Sequence, residues 1–316
     1  MLEEVESWLS RRSWSASDRP LDHLVAARTK DPHRSRVSVV LPALNEEATV
    51  GEIVAEIRRE LVEKVPLVDE LVVIDSGSTD ATAEVARRAG ARVVHRDAIL
   101  PRMPAVPGKG EVLWRSLLVT SGDIVCFVDA DLKDFSADFV SGTVGPLLTD
   151  PSVHFVKAMY DRPLGDTAGQ GGRVTELVAR PLLNLHWPAL AGFVQPLGGE
   201  YAVRRSLLEQ LPFPVGYGVE LALLVDALHT VGLDALAQVD VGVRKHRHQD
   251  GQALGRMAAT IYRTAQLRLN RGPLVRPEIT QFERGPGGFV PRTHAVDTEE
   301  RPPMREIVEY AARVAA

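Results

Sequence analysis

The sequence predicts an α/β protein built on a largely parallel sheet with helices on both faces. Three observations carry this. Short β-branched runs recur, segments with helical spacing separate them, and the runs are apolar nearly throughout. Strands buried on both faces of a parallel sheet read this way, without the alternation of a half-exposed strand. Residues 37–41 give the first strand signal. Val50, Ile53, Val54, Ile57 and Leu61 follow at helical spacing. Residues 71–74 form the next strand, and Ser78, Thr79 and Asp80 offer N-cap oxygens to a helix running through Val85 to Ala89. Residues 91–94 give a third strand. A loop with Pro101, Pro104 and Pro107 leads to a helix from about Glu111 to Thr120, and 124–128 give a fourth strand.

The second half is less regular. Residues 155–160 and 236–241 read as strands, 165–172 as a Gly-rich loop, and 173–186, 204–210, 219–231 and 252–269 as helical segments. The first 36 residues, with Trp8 and Trp14, read as a short helical arm packed on the body. The stretch 271–303 is rich in Pro, Gly and charge and is expected to run over the surface, before a terminal helix over 305–316. No internal repeat is present.

Composition narrows the function. The 316 residues are 45% apolar and 25% charged, with mean hydropathy −0.05, which excludes disorder of the whole chain. The length allows two domains, or one large α/β unit with appendages. A net charge of −5 and 5% aromatic content argue against nucleic acid as the partner. The one cysteine, Cys126, excludes an internal disulfide and a CxxC site, and its apolar flanks predict a buried thiol. No apolar run reaches the roughly 18 residues of a membrane span, and the acidic first residues do not form a secretory signal. The expected location is the cytoplasm.

In parallel sheets ligands bind beyond the carboxyl ends of the strands. Three polar clusters fall there: residues 42–47, 75–80 and 129–131. Asp129 and Asp131 are two apart in an extended segment, so both carboxylates face one way and can hold a hard cation. Such an ion can neutralise a diphosphate leaving group. The bare Asp-x-Asp pattern is weak; its place after the fourth strand gives it weight. GxGxxG and the P-loop pattern are both absent, so dinucleotide and P-loop readings are poor. Lys109, between Gly108 and Gly110 at a helix start, suits a phosphate, or is a solvated loop lysine. Gly172, Arg173 and Thr175 open a helix after the Gly-rich loop and can hold a phosphate or carboxylate, or form a plain flexible connection. Glu220 either binds sugar hydroxyls or is an ordinary first-turn glutamate. Arg244, His246 and His248 alternate in the one dense basic cluster. They point together after a strand, toward metal and diphosphate, or line a solvated basic face.

The motifs at 41–47, 75–80, 107–111 and 129–131 resemble those of GT-A glycosyltransferases. The blocks at 172–176 (Gly-Arg-Val-Thr-Glu), 195–200 (Gln-Pro-Leu-Gly-Gly-Glu), 216–220 and 243–246 narrow the resemblance. They are similar to those of glucosyl-3-phosphoglycerate synthases and the related actinobacterial mannosyl-3-phosphoglycerate synthases. The resemblance runs from about Val37 to Leu269. It implies a Rossmann-like GT-A unit and a retaining transfer of a hexose from a nucleotide diphosphosugar to the 2-hydroxyl of 3-phosphoglycerate. UDP-glucose is the first choice of donor and GDP-mannose the alternative. It implies a divalent cation, Mg²⁺ or Mn²⁺, and a homodimer, with no membrane and no nucleic acid. The corresponding division is an arm over 1–36, a nucleotide-sugar-binding part over 37–160, an acceptor-binding half over 161–270 and a tail over 271–316.

The resemblance also implies roles. Pro42, Ala43, Leu44, Glu46 and Ser76 line the nucleoside pocket, and Lys109 lies near the nucleotide. Asp131 ligates the metal with His246, and Asp129 supports them. Ala130 stands where the family often has Ser. Arg244 lies near the diphosphate. Leu197, Gly198, Tyr217 and Glu220 surround the donor sugar. Gly172, Arg173 and Thr175 hold the acceptor, with His248 beside it. A polyprenyl-phosphate hexosyltransferase shares the early motifs but would carry a membrane anchor. A sugar-1-phosphate nucleotidyltransferase would need a Gly-rich, Arg-containing first loop, and a non-catalytic scaffold has no use for the intact acidic and basic residues.

Overall fold

The computed structural model of the chain describes residues 2–31, 34–163, 172–246, 250–269, 278–285, 288–296 and 299–315. Helix α1 (Glu3–Arg12) places Glu3, Glu4 and Glu6 in its first turn and Arg11 and Arg12 in its last, which suits the helix dipole. Strand β1 (Ser13–Ser15) follows. A reciprocal cap between Ser15 and Asp18 then turns the chain toward α2 (Leu21–Lys30). The regular alternation comes next: β2 (Val37–Ala43), α3 (Val50–Arg58), β3 (Glu70–Asp75), α4 (Thr82–Ala89), β4 (Arg92–His95), α5 (Lys109–Val119) and β5 (Ile124–Phe127). The apolar positions expected for α3 and the wide turn after it, Val50 to Leu61, are all buried. Asp80 bonds the Thr82 N–H at 3.0 Å and so caps α4.

The remaining elements are β6 (Leu132–Lys133), α6 (Asp138–Thr149), β7 (Phe155–Asp161), α7 (Arg180–His186), β8 (Tyr201–Arg204), α8 (Arg205–Leu208), β9 (Phe213–Pro214), α9 (Val219–Val231), β10 (Leu236–Val243), β11 (Lys245–His246) and α10 (Gly251–Arg268). A hairpin of β12 (Glu278–Gly285) and β13 (Gly288–Ala295), then β14 (Glu300–Arg301) and α11 (Val308–Ala315), complete the described chain. The main sheet has the order β1-β10-β7-β8-β5-β2-β3-β4. All its pairings are parallel except those of β8, which is antiparallel to both β5 and β7. One apolar layer lies on each face, so strand residues alternate between two cores rather than between core and water. Cys126 is buried in one of them, and burial pushes its thiol up to about 12. Among the described residues no helix is long and apolar enough to cross a membrane.

Four expectations need correction. The N-terminal segment is more than a packed arm, since β1 joins the sheet as an edge strand paired with β10. Trp8 is fully buried against Phe193, with its Nε1 donating to the Leu236 carbonyl at 2.8 Å. The stretch 271–303 is not only surface chain, because its described part forms the β12–β13 hairpin and β14, whose Arg301 is buried. Helix α6 has no counterpart in the sequence reading; Gly142, Gly145 and Pro146 mask its signal. The helix expected over 204–210 is shortened to α8.

Candidate active site

Strands β3, β2 and β5 are parallel neighbours, so their carboxyl ends open on one edge. The two loops beyond β2 and β3 are laced together. Asn45 adopts a left-handed backbone, φ 57°, and its N–H donates to Ser78 Oγ at 3.0 Å. Its side-chain oxygen accepts from the Thr79 N–H at 2.9 Å. The Glu46 N–H donates to Thr82 Oγ1 at 2.8 Å, and Glu47 Oε2 accepts from the Ala81 N–H at 2.8 Å. The Ser76 N–H closes the seam on the Ala43 carbonyl at 2.9 Å. Pro42, Ala43, Leu44, Glu46 and Ser76 thus belong to one rigid rim, on which Leu44 is 53% exposed.

Beyond β5 lies the charged centre. Lys109, the first residue of α5, reaches Asp129 Oδ1 at 2.5 Å and Glu220 Oε1, in the first turn of α9, at 2.7 Å. Two glycines bring these elements together. A side chain at Gly108 or Gly110 would run into the backbone of Pro214 and Val215, and the Glu111 N–H donates to the Val215 carbonyl at 3.2 Å. Arg244 sits between β10 and β11 with its guanidinium buried. Its Nε donates to Glu200 Oε1 at 2.9 Å and its Nη2 to Asp129 Oδ2 at 2.9 Å, with Asp131 Oδ1 at 3.5 Å. The Tyr160 hydroxyl donates to the other Glu200 oxygen at 2.9 Å.

Burial alone would raise the Asp129 carboxyl, but Lys109 and Arg244 outweigh it and hold it far below the usual carboxylate range. Asp131 goes the other way. Burial lifts it, and the charge of Asp129 adds to the lift. Burial would lower Lys109 and Arg244, but the carboxylates around each hold both well above their ordinary values.

The donor set suits a hard divalent cation. Asp131 is lifted by burial and by the charge of Asp129, keeps 29% of its side chain exposed, and among the described residues has Arg244 at 3.5 Å as its ion-pair partner. Residue 246 pairs with Leu132 across β11 and β6, one residue from Asp131; its side chain lies outside those described. Among the described residues no three His, Cys, Asp or Glu side chains form a metal cluster. Asp129 is already engaged by Lys109 and Arg244.

Farther along, Gly172 has φ +76° and opens the helical segment that contains the buried Thr175 and leads into α7. Arg173 is exposed. Beside this turn lies a polar cavity of about 520 Å³, lined by Arg162, Glu176, Arg180, Gln195 and Asp240 among others. Gly198 lies against the Tyr160 hydroxyl, and Tyr217 is half-exposed. Ala130 is buried, its carbonyl accepting from Thr49 Oγ1 at 2.6 Å. His248 and the loop expected over 165–172, except Gly172, lie outside the described residues. Sequence reasoning singled out neither Glu200 as the anchor of Arg244 nor Tyr160. Glu200 stood inside a quoted motif, but only the packing of β8 beside β7 shows its carboxylate to be buried.

A mostly parallel sheet with laced loops and paired carboxylates at its open edge defines a glycosyltransferase of the GT-A type. The family model for glycosyl transferase family 2 matches residues 38–173. The chain belongs to the glucosyl-3-phosphoglycerate synthase family. It is 50% identical over 302 residues to the glucosyl-3-phosphoglycerate synthase of Mycolicibacterium smegmatis, covering 94% of this chain and 95% of that one. The Mycobacterium tuberculosis enzyme in complex with Mn²⁺, UDP and phosphoglyceric acid superposes with TM-score 0.82 at 47% identity, over 90% of this chain and 94% of that one. The same enzyme is also solved with Mg²⁺ and UDP, and with Mn²⁺, UDP-glucose and phosphoglyceric acid. Mannosyl-3-phosphoglycerate synthase from Rubrobacter xylanophilus superposes with TM-score 0.89 at 39% identity, over 96% and 99% of the two chains.

Replacing Arg244 by Met leaves Glu200 buried with Tyr160 as its remaining side-chain partner. Breaking a buried pair from one side costs about 3–5 kcal/mol, and urea unfolding of the variant is expected to show a loss of that size. A loss below about 1 kcal/mol would mean that Arg244 is not the countercharge of Glu200.

Proposed function

We propose that this chain transfers the glucosyl group of UDP-glucose to the 2-hydroxyl of 3-phosphoglycerate, with retention at the anomeric carbon. The observation that carries the reading is the network of Lys109, Asp129, Asp131, Arg244 and Glu220 at the open edge of the sheet. The rim of Pro42, Ala43, Leu44, Glu46 and Ser76 takes the nucleoside. Asp131, with Asp129 and His246, holds the divalent cation, which supplies positive charge to the diphosphate. Arg244 meets the same diphosphate, and its Nη1 is buried with no hydrogen-bond acceptor among the described residues, which supports that role. Glu220 orients the sugar side of the donor beside Leu197, Gly198 and Tyr217, and Lys109 lies near the nucleotide.

Gly172, Arg173 and Thr175 hold the anionic end of the acceptor, with His248 beside it, so that remote binding aligns the reacting hydroxyl. The bond from that hydroxyl to the anomeric carbon forms on the face from which the phosphate oxygen departs, and the hydroxyl proton goes to the departing phosphate. Glu220 then positions the sugar and does not attack it. The close fit to a mannosyl synthase favours GDP-mannose as the second donor to test. The reading includes a homodimer, supported by the exposed Val308 and Val314 on α11.

With 3-phosphoglycerate and Mg²⁺, mass spectrometry is expected to show hexosyl-phosphoglycerate from UDP-glucose and less from GDP-mannose. EDTA or Asp131→Ala should nearly abolish it. Wild-type rates in the Asp131 variant would sink the metal assignment, and absence of product from both donors would sink the acceptor. Arg173→Ala should raise KM for 3-phosphoglycerate at least about tenfold, one contact of 1.4 kcal/mol or more, with little change for the donor; equal effects on both would dismiss the clamp. Sedimentation should give twice the 34.5 kDa chain mass, and a monomer would remove the dimer from the reading.

A further inference from the structure

Four neighbouring strands place Phe127, Tyr201, Lys157 and Gln238 in one row across the sheet, each opposite the next. Two of these four are apolar in body and pack into the core. The other two, Lys157 and Gln238, are polar, and both are almost wholly buried. Both spend their polar atoms on the same irregular segment. Gln238 donates to the Gly192 carbonyl at 3.0 Å and accepts from the Val194 N–H at 3.0 Å. Lys157 Nζ donates to the Gly198 carbonyl at 2.5 Å. Between these anchors the Gly198 N–H closes a turn on the Gln195 carbonyl at 3.1 Å.

That turn has little room. A side chain at Gly199 would collide with the Asp129 carboxylate and Lys109 Nζ, and one at Gly198 would meet the Tyr160 hydroxyl at 2.7 Å. The turn is therefore the floor between Asp129, Lys109 and Tyr160. The Lys157 ammonium has no carboxylate within ion-pair distance among the described residues. Its other neighbour is the Tyr201 ring, 4.7 Å from Nζ. Burial draws it down to about 8, with Glu220 and Glu200 resisting the fall. A methionine would fill the same space without a buried charge but would leave the Gly198 carbonyl without this donor. The lysine here therefore serves that carbonyl.

We infer that Lys157 is a positioning residue for the donor sugar: by holding the Gly198 carbonyl it fixes the Leu197–Gly199 turn against Asp129 and Lys109. This rests on the reading above that Leu197 and Gly198 meet the sugar. The role concerns the sugar and not the nucleotide, because the turn lies on the Asp129, Lys109 and Glu220 side, away from the Ala43–Ser76 seam.

The test is titration calorimetry of UDP and of UDP-glucose, each with Mg²⁺, on the wild type, Lys157→Met and Lys157→Gln. Lys157→Met should bind UDP within twofold of the wild type. It should lose the extra affinity of UDP-glucose over UDP, and kcat should fall at least tenfold with KM for 3-phosphoglycerate unchanged. Lys157→Gln keeps a donor and should recover part of both losses. Wild-type UDP-glucose affinity and kcat in both variants overturns the inference. So does an equal loss of UDP and UDP-glucose affinity with a lowered Tm, which marks a structural role. A wild type that binds UDP-glucose but does not glucosylate 3-phosphoglycerate fails the acceptor reading alone, and the affinity comparison still decides Lys157. A wild type that binds no UDP-glucose overturns both.

Discussion

A guanidinium buried among three carboxylates sets the conditions for everything at the open edge of the sheet. Arg244 bonds Glu200 on its inner side and reaches Asp129 and Asp131 on its outer side. An isolated carboxylate buried as deeply as Glu200 would cost several kcal/mol to desolvate. The pairing makes that burial tolerable and draws the β8 entry, the β5 exit and the β10–β11 turn onto one point. Lys109 does the same from the far side, tying α5, the β5 exit and α9 through Asp129 and Glu220. Asp129 is the shared member of both clusters, which is why its charged form is held so strongly.

The position of Lys109 depends in turn on residues far away in the chain. Glu111, two residues on and fully buried, accepts from Arg115 Nε at 2.7 Å and from Arg301 Nε at 2.6 Å. Trp114 Nε1 donates to the Pro302 carbonyl at 2.8 Å. The first turn of α5 is thus gripped by the segment that pairs β14 with β9, and β9 leads directly into the turn before Glu220. The tail therefore contributes to the site by fixing the helix that carries Lys109.

Much of this was legible in the sequence, and the reasons differ by element. The strands β2, β3 and β5 announce themselves because both faces are buried and their runs are apolar nearly throughout, with Ser38 the one polar residue inside the run of β2. Asp129, Asp131 and Lys109 stand out because charge directly after an apolar strand, or between two glycines, is unusual. Glu200, Lys157 and Gln238 were hidden for the opposite reason. A charged or amide residue within or beside a short strand reads as a solvent-facing position, and here both faces are covered. Strand β1 is three residues long and has no period to detect. Helix α6 is apolar all round and carries two glycines and a proline, so neither amphipathicity nor propensity marks it. The lacing of the first two loops rests on a left-handed Asn45, a backbone state that sequence permits but does not specify.

The bonding of Arg244 also suits the diphosphate role proposed for it, in a ligand-free and in a loaded site alike. Its Nε bond to Glu200 lies on the buried side and fixes the plane of the guanidinium. Its Nη2 is shared unequally between Asp129 at 2.9 Å and Asp131 at 3.5 Å, and its Nη1 has no acceptor among the described residues. A ligand oxygen arriving at Nη1 breaks no existing hydrogen bond, and a loosening at Asp131 gives up only the longest of the three contacts. The donor is therefore already desolvated and aimed before anything binds, the condition under which a fixed dipole or charge stabilises a developing anion without reorganising. The same inner bond keeps the guanidinium from collapsing onto the carboxylate pair, so Asp131 stays partly open while Asp129 remains neutralised.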